Sequence, residues 1–115
     1  MTDTYSETVS AETLSELREI LDDEFPLLIT TYVDDADQRM VRLRAAIEAG
    51  DAEQIKAESH ALKGSSRNLG ANPVGDLFAK MEVLGNSGQL DDVSNLLADI
   101  EASLLTTQNY LRSLI

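Results

Sequence analysis

The sequence predicts an all-α protein, folded as an antiparallel up-and-down four-helix bundle with a short extra helix at the N-terminus. Three observations lead to this fold class. Glycine (6 residues), proline (2) and aromatic residues (4%) are scarce, whereas leucine, alanine and acidic residues are abundant, as is typical of helices. Apolar residues recur at spacings of three and four, and short polar segments separate these runs. The length, 115 residues, suits one domain.

The first predicted helix covers about residues 11–21 and follows a flexible N-terminus, residues 1–9, which has no periodicity. Ser10 is placed to cap this helix, and its apolar stripe consists of Leu14, Leu17 and Leu21. The acidic cluster at residues 22–24 suits the positive end of a helix dipole, and Pro26 is tolerated only in a first turn. A second helix therefore begins there.

The second predicted helix ends at Gly50, and the third covers about residues 52–69 between the capping Asp51 and Gly70. The stripe of the second helix consists of Ile29, Val33, Ala36, Met40, Leu43 and Ile47. The inner stripe of the third consists of Ile55, Ser59, Leu62, Ser66 and Leu69. Each helix therefore has one face for the core.

The fourth predicted helix opens with Asn72 as its N-cap and Pro73 at the first helical position, and it ends within residues 85–88. The fifth follows Asp92 and continues almost to the C-terminus, with Thr107 filling one gap in its stripe. Their stripes consist of Val74, Leu77, Phe78, Met81 and Leu84, and of Val93, Leu97, Ile100, Leu104, Leu111 and Leu114. Short connections make antiparallel packing the economical arrangement, with the first helix as a lid.

Composition excludes several classes of function. The formal net charge of -12 makes nucleic acid and anionic lipid poor partners. The absence of cysteine removes disulfides and thiolate chemistry. Residues 1–10 do not resemble a signal peptide, and no apolar run reaches the ~20 residues of a membrane span. We therefore expect a cytoplasmic protein, and we expect it to be a monomer. The length suggests a free-standing module, and an excised domain of a longer protein is the alternative.

The only histidine, His60, is predicted to point away from the core, because Leu62 and Leu69 lie nearly opposite it on the helix. Six residues lie within about 60° of His60 on a helical projection: Glu53, Lys56, Ala57, Lys63, Gly64 and Arg67. The three cations form a positive patch in a very acidic chain, which could steady a phosphoryl dianion or simply form i,i+4 salt bridges.

Gly64 lies one turn after His60, inside a helix, where glycine costs about 1 kcal/mol relative to alanine. The missing side chain would open access to the imidazole for another protein. Close packing between helices is the alternative explanation.

Residues 60–71 read HALKGSSRNLGA, which resembles the signature of the histidine phosphotransfer (HPt) family of phosphorelays. The resemblance covers most of the chain and implies a single HPt-like domain over residues 10–115. It also implies that the distal ring nitrogen of His60 accepts a phosphoryl group from a receiver-domain aspartate and transfers it to another receiver. The implied partners are the receiver domains of a hybrid sensor kinase and of response regulators.

The resemblance also implies roles for the neighbours of His60. Lys63 would be the main electrostatic helper of the phosphoryl group, with Lys56 and Arg67 in the patch around it. Family members often orient the imidazole with a Gln or Glu on the next helix, and counting along the chain places Glu82 there. The alternative is that Glu82 is an ordinary exposed glutamate. No cofactor of its own is expected, because Mg²⁺ would belong to the receiver.

Other functions are less compatible with the residues. A phosphate-independent helical adaptor could dispense with the histidine that this chain keeps. A calcium site would need more than Asp34, Asp35 and Asp37, which lack the spacing of a calcium loop. No set of base, nucleophile and oxyanion donors can be assembled beyond His60, so we expect a phosphotransfer intermediate and not an enzyme.

Overall fold

The computed structural model describes residues 8–115, so most of the predicted flexible N-terminus lies outside the described residues. Five α-helices and one short 3-10 helix make up this part of the chain. The α-helices are α1 (Ala11–Leu21), α2 (Phe25–Ala49), α3 (Ala52–Asn68), α4 (Asn72–Ser87) and α5 (Val93–Arg112), with the 3-10 helix Asp22–Glu24 between α1 and α2. None of these helices is long and apolar enough to cross a membrane.

Helices α2 to α5 form a four-helix bundle in which each helix packs against the next and α5 returns to α2. Every residue of the predicted apolar stripes is buried or half-buried, because each stripe faces the common core. The largest fully buried side chains come from all four helices and include Phe25, Phe78, Ile29, Met40, Leu43, Ile55, Leu62, Met81, Ile100 and Leu111. The predicted bundle is confirmed.

The extra helix α1 is held against the connection between α3 and α4. The Ser10 hydroxyl accepts a hydrogen bond from the Thr13 amide at 3.2 Å, so Ser10 caps α1 as predicted. The Ser10 amide donates to the Gly70 carbonyl at 2.9 Å. Val9, at the end of the segment predicted to be flexible, is fully buried because its side chain joins the core. Packing therefore begins before the first helix.

One predicted cap is wrong. Asn72 is the first residue of α4, and Ala71 is the N-cap. The Ala71 carbonyl accepts the first helical hydrogen bond, from the Gly75 amide at 3.0 Å, and no side chain caps this end. Ala71 is fully buried, so tertiary packing starts the helix one residue before the position that the Asn-Pro pair indicates.

Gly85 lies inside α4, where α3 and α4 approach each other backbone to backbone. A Cβ at Gly85 would stand 2.8 Å from the Lys56 amide nitrogen and 3.0 Å from the Ala52 carbonyl oxygen. The helix ends two residues later at Ser87, where Gly88 takes a positive φ of 73°. Gly85 therefore sets how closely the two helices pack.

We expect Gly85→Ala to lower the free energy of unfolding by about 1–3 kcal/mol, because backbone atoms of α3 cannot move aside as a side chain would. Urea unfolding followed by circular dichroism measures the change. A urea midpoint equal to or above that of the wild type would contradict this packing.

Candidate functional site

His60 projects from the middle of α3 into solvent, with 68% of its side chain exposed. The residues on either side of it along the inner face, Ser59 and Leu62, are fully buried. The outward direction therefore follows from the burial of the opposite face, as the helical spacing predicts. An exposed imidazole can react with a partner without any rearrangement of the core.

Glu82, on the facing surface of α4, holds the ring of His60. The distance from His60 Nδ1 to Glu82 Oε2 is 2.8 Å. An ionised carboxylate only accepts hydrogen bonds, so Nδ1 carries a proton and donates a hydrogen bond to Glu82 Oε2. In the neutral ring, the other nitrogen, Nε2, then keeps its lone pair. This tautomer leaves Nε2 as the ring nitrogen that is able to act as a nucleophile.

Lys63 binds the other oxygen of the same carboxylate, with 2.5 Å between its Nζ and Glu82 Oε1. The hydrogen bond from Lys63 is the main cause that lowers the pKa of Glu82 below its ordinary value, and the bond from His60 adds to it. Burial acts in the opposite direction and is weaker than the combined effect. Glu82 is therefore ionised at neutral pH, which the tautomer of His60 requires.

The lowered pKa of Glu82 predicts a pH-dependent contribution to stability. A carboxyl group with a lowered folded-state pKa stabilises the fold above its unfolded pKa, here 4.5, and loses that effect as pH falls through the folded value. We expect Glu82→Gln to cost about 1 kcal/mol at pH 7 and progressively less below pH 4.5. Urea unfolding of both proteins between pH 7 and pH 3 measures this difference, and a constant difference would contradict the ion pair.

The three predicted cations share the face of His60 but differ in their partners. Arg67 Nη2 lies 3.0 Å from Asp76 Oδ1 on α4, just as Lys63 is bound to Glu82. Lys56 is exposed and makes no ion pair within residues 8–115. Carboxylates of the neighbouring helix α4 therefore neutralise most of the predicted positive patch. A helical projection of α3 alone does not include these carboxylates.

Gly64 is exposed, and a Cβ built on it would meet no atom within 4 Å. Nothing in the described chain packs closely enough to require glycine there. The close-packing explanation therefore fails for Gly64, whereas it holds for Gly85. The open space beside Gly64 lies one turn from His60 and is continuous with solvent.

One feature near α3 was missed by the sequence analysis. Glu58 is buried on the face toward α2, where its carboxylate accepts hydrogen bonds from Arg39 and Arg42, each at 3.0 Å, and from Gln54 at 2.6 Å. The sequence around Glu58 does not reveal this network, because the two arginines that bind the carboxylate lie on another helix. The network ties α3 to α2 on the side opposite the Glu82 pair.

An apolar groove of about 300 Å³ lies between α1, α2 and α3. Leu17, Leu28 and Leu69 give it an apolar lining, and Ser65 forms its edge next to Gly64. Ile20 is exposed on the same helix as Leu17. The groove places an apolar surface beside the helix that carries His60.

The fold and this site define a class: a helical bundle that presents one exposed, carboxylate-oriented histidine. Residues 27–110 match the model of the Hpt domain. Histidine-containing phosphotransfer protein B (HptB) from Pseudomonas aeruginosa PAO1 has a solved structure similar to this chain, with a TM-score of 0.90, 28% sequence identity and 92% of each chain covered. No curated protein matches significantly. The chain belongs to the Hpt domain family, and a histidine phosphotransfer role in a phosphorelay follows.

Within residues 8–115 no group of three or more His, Cys, Asp or Glu side chains is arranged to hold a metal ion. The described part of the site consists of His60, Glu82 and Lys63, with Gly64 beside them.

Proposed function

We propose that His60 accepts a phosphoryl group from the aspartyl phosphate of one receiver domain and transfers it to the aspartate of another. The observation that carries this proposal is the hydrogen bond between Nδ1 of His60 and Glu82, since it leaves Nε2 as an exposed nucleophile. Glu82 is the orienting group, as the family resemblance implies. The protein is a carrier that is phosphorylated and regenerated, and it needs no nucleotide.

In the transfer step, the lone pair of Nε2 attacks phosphorus in line with the bond to the donor's aspartate oxygen. The Nε2–P bond forms, and the electron pair of the broken O–P bond stays on the donor carboxylate. The proton on Nδ1 remains in place, so the ring becomes an imidazolium and no proton acceptor is required. The reverse sequence on a second receiver regenerates His60.

The neighbouring residues stabilise charge and allow access. Lys63 stabilises the phosphoryl oxygens, and Lys56 adds long-range attraction for the dianion. Arg67 supports the same face through its pair with Asp76. Gly64 leaves room for the receiver to bring its aspartate within reach of Nε2. Mg²⁺ is supplied by the receiver, where it neutralises the phosphoryl oxygens.

The apolar groove lined by Leu17, Leu28 and Leu69 is the docking surface that we assign to receiver domains. An apolar centre with a polar rim is usual for transient protein interfaces. Its position next to Ser65 and Gly64 would direct a docked partner toward His60. We propose that these encounters take place in the cytoplasm between a monomeric carrier and receivers of a hybrid kinase and of response regulators.

The test uses a radiolabelled phosphorylated receiver with Mg²⁺. We expect acid-labile, alkali-stable label to move onto this chain within the time that the receiver alone keeps its phosphate. A second, unlabelled receiver should then take the label from the purified phosphoprotein. Binding of receivers without any transfer of label would instead support a phosphate-independent adaptor.

A further inference from the structure

In the unphosphorylated protein, the carboxylate of Glu82 binds both His60 and Lys63. Its Oε2 accepts from His60 at 2.8 Å, and its Oε1 binds Lys63 Nζ at 2.5 Å. Both partners of the ion pair are mostly buried, with 24% of the Lys63 side chain and 18% of the Glu82 side chain exposed. The ammonium that would stabilise a phosphoryl group is therefore already bound to a carboxylate.

Phosphorylation changes the charges that these residues face. In the form that reacts, with a neutral ring, one carboxylate is shared by one cation and one neutral N–H donor. Afterwards the site holds two cations, Lys63 and the imidazolium of His60, and two anions, Glu82 and the phosphoryl dianion. At equal distance an ammonium is attracted about twice as strongly by a dianion as by a carboxylate. The arrangement that pairs every charge is then Lys63 with the phosphoryl group and Glu82 with the ring.

We propose that Lys63 exchanges partners when His60 is phosphorylated, moving from Glu82 to the phosphoryl oxygens and leaving the whole carboxylate to the imidazolium. This inference rests on the proposed function. Its consequence is that phosphorylation strengthens the hold of Glu82 on the Nδ1 proton. A protonated ring is the better leaving group, so the exchange keeps the phosphoryl group ready for the next receiver.

Few other charges face the ring. The hollow around His60 is lined on α3 by Glu53, Lys56 and Ala57, and on α4 by Glu82. Glu53 and Lys56 are exposed and have no ion-pair partner among the described residues, so solvent screens them in both states. Lys63 differs from them because it is paired before transfer, and with the same carboxylate that binds the ring.

The experiment measures the ring pKa of His60 by NMR, and because the chain has a single histidine, the signal needs no assignment. The proteins are the wild type, Lys63→Met, Glu82→Gln and the double variant, each free and after chemical phosphorylation with phosphoramidate. In the free protein, Lys63→Met leaves the whole Glu82 carboxylate to the ring, which favours the protonated ring. When Glu82→Gln has already removed the negative charge, Lys63→Met can no longer act in this way. We expect the two substitutions to be non-additive there, by about threefold in the protonation constant, or half a pKa unit.

In the phosphoprotein the same two substitutions should be additive, because Lys63 and Glu82 no longer contact each other. Equal non-additivity in both states would overturn the exchange and leave the proposed function intact. A wild-type His60 that takes phosphate from neither phosphoramidate nor a receiver would overturn the proposed function and the exchange together. The matched control uses the Arg67–Asp76 ion pair, which joins the same two helices. The non-additivity of Arg67→Met and Asp76→Asn, measured on the ring pKa of His60, should be the same in the free protein and in the phosphoprotein.

Discussion

His60→Gln will leave the protein folded and remove all transfer of phosphate onto it. The substituted side chain is 68% exposed and has one hydrogen bond, so the free energy of unfolding should change by no more than about 0.5 kcal/mol. Glutamine has no lone-pair nitrogen that can form a bond to phosphorus. Acid-labile label from a phosphorylated receiver should therefore fall to background, below the label on the wild type at every time point.

Intact mass spectrometry under alkaline conditions provides the second measurement, because one phosphoryl group should be added to the wild type and none to the variant. Asn109→Gln, at an exposed position on α5, is the control and should be labelled as the wild type is. Label retained on His60→Gln would mean that another side chain is the acceptor, and it would contradict the assignment of His60.

Substitutions at Gly64 are expected to separate stability from transfer. Gly64→Ala should raise the free energy of unfolding by about 1 kcal/mol, because alanine favours the helix and its Cβ enters open space. Gly64→Leu places a branched side chain one turn from His60, in the open space through which we propose that a receiver approaches. A misplacement of about 1 Å can cost 100-fold in rate, so we expect a loss of that order in transfer from a receiver.

Phosphorylation of Gly64→Leu by phosphoramidate should remain at the wild-type rate, since this small donor needs no docking surface. Ala102→Leu adds the same side chain to an exposed position on α5 and is the matched control for receiver-dependent transfer. Equal losses with both donors would show that Gly64 supports the histidine itself. Unchanged transfer from receivers would show that the open space has no role in access.

The sequence predicted the bundle well because helix formation and the burial of one face depend on signals that lie close together along the chain. The apolar stripes of α2 to α5 are such local signals, and so are the glycines at positions 50 and 70 that mark the ends of α2 and α3. The cap of α4 was wrong because Asn72 and Pro73 form a local signal that tertiary burial of Ala71 overrides. Gly85 shows the same limit, because only the facing backbone of α3 reveals why it is glycine.

The site was predicted in part. The outward direction of His60 follows from periodicity, and the position of Glu82 on α4 came from the family resemblance, with its contact then visible in the structure. Ion pairs between helices could not be predicted, because they depend on the relative rotation of α3 and α4. For this reason the pairing of Arg67 with Asp76 and the buried network of Glu58 are structural findings.

Helix α3 is fastened from two sides, by Glu58 to α2 and by Lys63 and Arg67 to α4. A partner that docks on it therefore finds the backbone already ordered, and binding must restrict only a few side chains. The conformational entropy lost per encounter is correspondingly small, so a modest contact area can support specific but short-lived complexes. Short residence times are what a carrier requires if successive receivers are to use the same surface without blocking one another.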